Sequence, residues 1–164
     1  MILLLNGAFG IGKTTVARLL VKRLPRAVLF DPELIGIALQ RITRVDDFQD
    51  LRAWRRLTVA GLRIVRRFRP NVIVPMAFSN PAYLEEIRSA AERIDDRVLH
   101  VCLVAPLPVV EERLRRRGAE PWSFRRAAEC CVAHESVVFA THVNAERDPH
   151  ELAEELRNQL AVGS

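Results

Sequence analysis

Residues 2–14 read ILLLNGAFGIGKT, and this stretch decides the fold of the chain. The segment from Gly7 to Thr14 matches the pattern G-x-x-x-x-G-K-[ST], in which a glycine-rich turn wraps its backbone N–H groups around phosphate oxygens. The apolar residues before it predict a buried strand, and residues 13–24 after it predict a helix whose positive end faces the same anion. The sequence therefore predicts a phosphate-binding loop, the P-loop, at residues 7–14.

The predicted ligands of this loop are ATP and Mg²⁺. We expect Lys13 to reach the β- and γ-phosphates and the Thr14 hydroxyl to hold the metal. The alternative is a glycine-rich turn between strand and helix with a solvated lysine. The predicted ATP-binding residues of the loop and the helix start are Gly7, Ala8, Phe9, Gly10, Ile11, Gly12, Lys13, Thr14 and Thr15.

Apolar runs alternate with helical patterns along the rest of the 164 residues, which is typical of a parallel α/β sheet. We predict one three-layer domain, residues 1–164, of the nucleoside monophosphate kinase type, with five parallel strands in the order 2-3-1-4-5 and helices on both faces. Pro75 is expected to end or bulge the pairing of the third strand, because proline cannot donate to a ladder. The predicted strands are 2–5, 27–30, 72–74, 98–104 and 141–144, and the predicted helices are 13–24, 34–42, 47–68, 81–94, 108–117, from about 128 to 138, and from 149 onward.

The chain is basic, with a net charge of +5, and nearly all of its positive residues are arginines. The arginine-rich segment 52–69 has helical spacing, so we interpret its arginines as a solvated face and expect no nucleic-acid partner. The opposite, inward face is expected to consist of Trp54, Leu57, Gly61, Ile64, Val65 and Phe68.

Composition also excludes several classes of protein. Three cysteines have neither metal-ligand spacing nor the pattern of a disulfide framework. The apolar start is too short for a signal peptide and no run spans a bilayer, so we expect a cytoplasmic location without stable membrane insertion. The guanine-specificity motif Asn-Lys-x-Asp is missing. These exclusions leave the compact kinases, which position a phosphoryl group and stabilise its charge.

Asp31 is the predicted acid of the site, because it follows the second strand at the carboxyl edge of the sheet, where ligands bind. It could accept the proton of an acceptor hydroxyl or hold magnesium, and the alternative is a helix cap. Glu33 suits the helix N-terminus instead. The third strand carries no acid, and Asp46 or Asp47 are the candidates to compensate for that.

Two arginines four residues apart, Arg113 and Arg117, share a helix face. By similarity to nucleoside monophosphate kinases, we expect Arg113 to stack on adenine and Arg117 to reach the phosphates, with residues 144–147 covering the adenine. The alternative is an exposed helix end whose arginines neutralise its own carbonyls. Residues 118–128 are predicted to be a mobile lid, with Arg125 and Arg126 completing the cage on closure.

The segment 34–70 between the second and third strands is predicted to bind the acceptor. It offers Phe48 for stacking and Gln49 for hydrogen bonds, and with Asp31 and Arg125 these form the predicted substrate site. An equally simple interpretation places Phe48 and Trp54 in the core, and for Trp54 the core is favoured because large aromatic residues are mostly buried.

Several short motifs resemble the tunicamycin resistance protein family. They are Asn6-Gly-Ala-Phe-Gly-x-Gly-Lys-Thr14, Asp31-Pro-Glu33 followed by Gly36-x-Ala38-Leu39, Asp46-Asp-Phe-Gln49 before Trp54, and Ile73-Val-Pro-Met76. The resemblance implies ATP binding and protection against tunicamycin, a nucleoside antibiotic. It also matches Asp31 to the acid at the acceptor position of related antibiotic kinases such as chloramphenicol phosphotransferase.

Three hypotheses follow for the function. The first is a phosphotransferase acting on a hydroxyl of tunicamycin or of a related nucleoside or sugar. The second is an ATP-dependent protein that sequesters the drug without chemistry, and the third is a housekeeping nucleotide or polynucleotide kinase.

Overall fold

The computed structural model describes residues 1–45, 47–136 and 140–162. Its elements follow in this order: β1 Ile2–Gly7, α1 Lys13–Arg23, β2 Ala27–Leu29, α2 Glu33–Thr43, a 3-10 turn Phe48–Asp50, α3 Arg52–Phe68, β3 Asn71–Met76, α4 Pro81–Glu92, β4 Val98–Val104, α5 Leu107–Arg116, α6 Pro121–His134, β5 Thr141–Asn144 and α7 Pro149–Val162. The five strands are parallel and lie in the order β2-β3-β1-β4-β5, which confirms the predicted fold class.

The central strand β1 is completely buried, because both faces of a doubly wound sheet are covered by helices. On one face, Leu3, Leu5 and Leu103 pack with residues of α1, α5, α6 and α7. On the other face, Ile2 and Leu4 pack with residues of α3 and α4. The two layers hold the P-loop at the carboxyl end of β1, in the middle of the sheet.

The pairing of β3 with β1 continues through Pro75, contrary to the prediction, whereas its pairing with β2 ends at Ile73, before Pro75. Leu5 and Asn6 of β1 remain in register with Pro75 and Met76. Val72 donates its backbone N–H to the carbonyl of Met1, just before β1, whereas the Ile73 carbonyl accepts from the N–H of Phe30, just after β2. Because backbone groups alternate sides along a strand, the missing N–H of Pro75 faces the side of β2, and β2 already ends at Leu29.

Helix α3 is oriented differently from the prediction. Trp54 is buried as expected, and Leu62 is buried although it was not assigned to the inward face, whereas Leu57, Ile64 and Phe68 are 46%, 61% and 68% exposed. Arg55, predicted to be solvated, is 5% exposed. The core face of α3 is therefore rotated by about one residue from the face that the apolar pattern favoured.

The predicted lid at residues 118–128 is not an irregular connection, because helix α6 begins at Pro121 and continues to His134. Gly118 has a φ of 61°, a left-handed conformation in which glycine terminates α5 without strain. The predicted end of this helix at Val138 lies outside the described residues. Whether this segment closes over a ligand stays a prediction.

Candidate active site

The P-loop has the geometry of an anion cradle. Gly10 and Gly12 have φ values of 84° and 108°, and a Cβ added at Gly12 would meet no atom within 4 Å. Helix α1 begins at Lys13 without a side-chain cap or an acid in its first turn. The first N–H groups of the helix therefore have no side-chain acceptor, which fits a phosphate ligand.

Lys13 is buried within this cradle, with 7% of its surface exposed. Its Nζ donates to the Ala8 carbonyl over 3.5 Å and lies 5.0 Å from the centre of the Phe9 ring. The same ring meets Trp122 of α6 edge to face at 5.4 Å. The Lys13 ammonium is thus held by the loop itself. A phosphate oxygen bound in the loop would take the place of the Ala8 carbonyl as its hydrogen-bond acceptor.

Two carboxylates follow β2 at this edge of the sheet. Asp31 Oδ1 accepts the backbone N–H of Glu33 over 3.0 Å, so the cap contact exists. Glu33 has an Oε1 atom that is buried and has no hydrogen-bond partner among the described residues. Burial raises the pKa of Glu33, while Lys13 lowers it and Asp31 raises it further. Both charges are therefore close enough to act on the Glu33 carboxylate.

A cavity of about 530 Å³, the acceptor cavity, opens between the P-loop, α2, the 3-10 turn and α6. It brings together three of the four predicted substrate residues, Phe48, Gln49 and Arg125, while Glu33 lines it in place of Asp31. Its full lining consists of Phe9, Glu33, Ile37, Gln40, Asp47, Phe48, Gln49, Trp122, Arg125, Arg126 and Glu129. Apolar rings, both signs of charge and two amides face one space, as in a site for a polar organic molecule.

Phe48 and Gln49 are held in place by the core below them. The Phe48 ring lies 5.1 Å from Trp54, and a Cβ at Gly36 would come within 2.4 Å of it. Trp54 is 1% exposed and donates its indole N–H to the Pro32 carbonyl over 2.9 Å. The favoured core position of Trp54 is thus what the structure shows. The Gln49 amide nitrogen donates to the Ala77 carbonyl over 3.2 Å.

Helix α6 is joined to the acceptor side by an ion pair. Arg126 lies 2.8 Å from Asp47 and 2.7 Å from Glu129. Arg125, its neighbour, is exposed. Asp46, the other acid proposed to compensate for the missing acid of β3, lies outside the described residues.

The two arginines predicted to bind the nucleotide occupy different environments. Arg113 is half-buried and donates to the carbonyls of Ile11 and Ala145 over 2.8 and 2.9 Å. It therefore ties the P-loop to the segment after β5. Arg117 is exposed at the C-terminal end of α5, where its backbone N–H donates to the Leu114 carbonyl and its side chain has no hydrogen-bond partner within the described ranges.

A second cavity, of about 640 Å³, also reaches the P-loop through Ile11. It includes Asn144 and Glu146, within the segment predicted to cover adenine. It shares no lining residue with the acceptor cavity. Two separate spaces thus meet the loop, as required for a nucleotide and an acceptor.

A buried polar cluster connects α6 to the strand that leads into the P-loop. Asn6 Oδ1 accepts the Phe78 N–H over 3.0 Å, and His134 Nε2 lies 2.6 Å from the Phe78 carbonyl. Since a carbonyl only accepts, this ring nitrogen carries the hydrogen. Burial lowers the pKa of His134 to about 4. The imidazole is therefore neutral at pH 7.

Glu33 is the first residue of α2, as its predicted place at the helix N-terminus requires, but it also lines the acceptor cavity, a role that was not predicted. The position of Glu33 in the sequence could have indicated this role. Glu33 follows Asp31 by two residues at the carboxyl end of a parallel strand, where ligands bind.

The comparisons with known proteins identify the family. A family model described as an AAA domain matches residues 2–142. The structure of the tunicamycin resistance protein of Deinococcus radiodurans matches with 32% identity and a TM-score of 0.81, over 97% of this chain and 94% of that one. The chain belongs to this AAA-domain family of tunicamycin resistance proteins. The resemblance inferred from the motifs is thereby confirmed.

More distant structures share the fold of this tunicamycin resistance family. Shikimate kinase from Acinetobacter baumannii matches with 17% identity and a TM-score of 0.65, over 99% of this chain and 94% of that one. A gluconokinase from Sinorhizobium meliloti matches with 16% identity and the same TM-score, over 99% and 96%. No curated protein matches the chain. Among the described residues, no helix combines the length and apolarity needed to cross a bilayer.

Proposed function

We propose that the chain is an ATP-dependent phosphotransferase whose acceptor is a hydroxyl of a tunicamycin-like nucleoside or a related sugar. One observation carries this proposal: Phe9 belongs to the P-loop and also lines the acceptor cavity, which contains the buried carboxylate of Glu33. A hydroxyl bound in that cavity would lie between a carboxylate and the bound phosphates. The fold of the kinase neighbours is consistent with this arrangement.

The reaction needs a nucleophile, a proton acceptor and cations. The acceptor oxygen would attack the γ-phosphorus, and the bond between that phosphorus and the oxygen leaving with ADP would break. The hydroxyl proton would pass to a carboxylate, for which Glu33 and Asp31 are the two candidates. Lys13 would stabilise the charge on the transferring group, with Arg117 assisting.

Magnesium would be held by the Thr14 hydroxyl and the Asp31 carboxylate. Oxygen donors of this kind suit Mg²⁺, which keeps several waters and binds one or two carboxylates together with substrate phosphates. Thr14 lies at the start of α1 and Asp31 directly after β2, so both are at the carboxyl edge of the sheet. The bound metal would neutralise charge on the β- and γ-phosphates.

We propose that Arg113 and residues 144–147 contact the nucleoside of ATP. Arg113 already bridges Ile11 and Ala145, and the second cavity reaches the same two elements. The acceptor would use Phe48 for stacking and Gln49, Arg125 and Asp31 for polar contacts. Phe48, Gln49 and Arg125 line one cavity, which supports this division.

A second candidate function is ATP-dependent sequestration of the drug without phosphoryl transfer. The observation that favours it is β3, whose residues 71–76 carry no carboxylate near the P-loop. In that case binding of the drug would be stoichiometric and would survive Asp31→Asn and Glu33→Gln.

Mass spectrometry of tunicamycin and a nucleoside panel after incubation with protein and Mg·ATP tests the proposal. A gain of one phosphoryl group that Lys13→Ala abolishes is expected. The matched control is Lys22→Ala, which alters an exposed lysine on the same helix and should leave turnover unchanged. Stoichiometric drug binding without any modified product would support sequestration instead, and neither binding nor turnover would refute both functions.

A further inference from the structure

Gln49 is held by three hydrogen bonds that leave only its side-chain oxygen without a protein partner. The residue is 5% exposed and lines the acceptor cavity. Its backbone N–H donates to the Asp47 carboxylate over 2.8 Å, and its backbone carbonyl accepts from Arg55 over 2.5 Å. The side-chain nitrogen donates to the Ala77 carbonyl over 3.2 Å, and no donor among the described residues reaches the side-chain oxygen. Because a carbonyl only accepts, the amide nitrogen must face Ala77, and the amide oxygen is therefore turned away from it.

Arg55 lies outside the acceptor cavity but holds the turn that carries Gln49. It is 5% exposed and is not among the residues that line the cavity. Its Nε donates to the Glu86 carboxylate over 2.6 Å, while a second nitrogen of the same guanidinium donates to the Gln49 carbonyl. A guanidinium offers N–H groups in several fixed directions at once, so this one side chain joins α4 to the turn.

Helix α4 also fixes the end of this turn. The Arg55 guanidinium lies 4.2 Å from the centre of the Tyr83 ring, and the Tyr83 hydroxyl donates to the Asp50 carboxylate over 3.0 Å. The backbone hydrogen bonds within the turn are 3.1 and 3.3 Å long. A single 3-10 turn has poor hydrogen-bond geometry and is weak by itself. The position of the turn therefore depends on the contacts that Arg55 and Tyr83 supply.

We propose that Arg55 is a positioning residue of the acceptor site, and that the Gln49 side-chain oxygen accepts a hydrogen bond from an N–H or O–H group of the acceptor molecule. This inference rests on the proposed use of the cavity for the acceptor. Arg55 does not touch the bound molecule. It fixes the Gln49 backbone, so that the side chain reaches Ala77 and presents its oxygen in one direction. Binding groups act only when they are held in place, and a small shift of the turn would misplace this oxygen.

Calorimetric titration with tunicamycin, in the presence of ADP and Mg²⁺, tests this proposal. Gln49→Met keeps the length of the side chain but removes the oxygen, so affinity should fall about 3–10-fold, the usual effect of one hydrogen bond. Arg55→Met should cause a similar loss although it changes no residue of the cavity lining. The affinity for ADP should stay within about two-fold in both variants, because neither residue belongs to the P-loop. Unchanged tunicamycin affinity in either variant would overturn the proposal.

The combined variant separates positioning from general damage. If Arg55 acts through Gln49, then Gln49→Met with Arg55→Met should bind tunicamycin no more weakly than the weaker of the two single variants, since residues that share one function are not additive. A combined loss equal to the product of the two single losses would overturn the proposal. In that case Arg55 would act independently of Gln49.

The matched control is Arg66→Met. Arg66 lies on the same helix and pairs with the buried carboxylate of Asp95, but neither residue lines the cavity. This variant should be less stable than the unmodified protein and should bind tunicamycin with unchanged affinity. An equal loss of affinity in Arg66→Met would show that destabilised α3 is the cause and would overturn the proposal.

Arg55→Lys is the variant to use if Arg55→Met does not fold. Lysine keeps a positive charge beside Glu86 but lacks the fork that also reaches the Gln49 carbonyl, so tunicamycin affinity should again fall. Full affinity in this variant would overturn the proposal. Because these experiments measure binding, the expected losses without any phosphorylated product would support the inference while contradicting phosphoryl transfer. Failure of the unmodified protein to bind tunicamycin would refute both.

Discussion

Arg55 and Arg56 are neighbours in sequence but differ in their contacts. Replacing each of them by methionine therefore measures how much one buried guanidinium contributes to the free energy of unfolding. Arg55 is 5% exposed, donates to the Gln49 carbonyl over 2.5 Å and pairs with Glu86 over 2.6 Å. Its guanidinium also lies 4.2 Å from the centre of the Tyr83 ring. Arg56 is exposed and has no such partner among the described residues.

The free energy of unfolding should fall by about 2–6 kcal/mol in Arg55→Met. Loss of a charged hydrogen bond to the Gln49 carbonyl costs about 1.5–3 kcal/mol. Loss of the contact with Tyr83 costs roughly 0.5–2 kcal/mol. The pair with Glu86 adds no more than about 1 kcal/mol, because Glu86 is 48% exposed and solvent screens it. Methionine keeps the apolar stem, so little packing is lost.

Urea unfolding followed by circular dichroism measures this difference. For a chain of this size, each kcal/mol corresponds to about 2–4 °C of melting temperature, so Arg55→Met should melt roughly 4–24 °C lower. Arg56→Met should change the free energy of unfolding by less than about 0.5 kcal/mol. Equal stability of the two variants would refute the buried position of Arg55. A loss in Arg56→Met alone would place the core on the face that the sequence pattern favoured.

Three further predictions concern the acceptor cavity and the buried histidines. Asp47→Asn removes the ion pair with Arg126, so the KM for the acceptor should rise several-fold in steady-state kinetics. The free energy of unfolding should change by less than about 1 kcal/mol in thermal unfolding. Glu33→Gln should increase the free energy of unfolding by about 1–2 kcal/mol, since it removes a negative charge that burial disfavours, yet lower kcat by about 100-fold or more; full turnover in this variant would exclude Glu33 as the proton acceptor. Burial lowers the pKa of both His100 and His134 to about 4, so their neutral forms stabilise the fold fully above pH 6.5 and that stability is lost as the pH falls toward 4. His100→Leu should remove roughly 2–3 kcal/mol of this pH dependence in unfolding curves, and an unchanged pH profile would contradict the burial of its ring.

The P-loop could be predicted because its local sequence determines its structure. The strand order could be predicted because few topologies are possible for alternating strands and helices. A buried strand, the six-residue turn from Gly7 to Gly12 and the lysine after it leave few alternative structures for residues 2–14. The right-handed crossover between parallel strands restricts the topology of the sheet. The start of α6 could also have been found, since Pro121 is well suited to the first turn of a helix.

The orientation of α3 could not be predicted, because two apolar rows compete along the same helix. One contains Trp54, Thr58, Leu62 and Val65, and the other contains Leu57, Gly61, Ile64 and Phe68. The second is the more apolar, so periodicity favours it. The structure buries the first row, where α4 offers the Glu86 carboxylate and the Tyr83 ring to the neighbouring Arg55. Such tertiary partners are not visible from the spacing of residues in one helix.

The acceptor cavity was predicted only in part for the same reason. Phe48, Gln49 and Arg125 come from different segments, and the sequence places them near the carboxyl edge only by analogy of fold. The contacts of Phe9 with Trp122 and of Arg126 with Asp47 join parts of the chain more than 75 residues apart, which no local pattern encodes.

Pro75 has a consequence for the position of the candidate acids. In the ladder between β2 and β3, Phe30 donates its N–H to the Ile73 carbonyl, and the next bond would bring an N–H of residue 75 to the Phe30 carbonyl. The nitrogen of Pro75 carries no hydrogen, so the ladder between β2 and β3 cannot continue, and the backbone leaves the sheet at residue 31. Pro32 lacks an N–H as well, so the two prolines together end the ladder just before the turn that carries Asp31 and Glu33. A Pro75→Val exchange would add one hydrogen bond to the Phe30 carbonyl, but Pro32 would still prevent the next one.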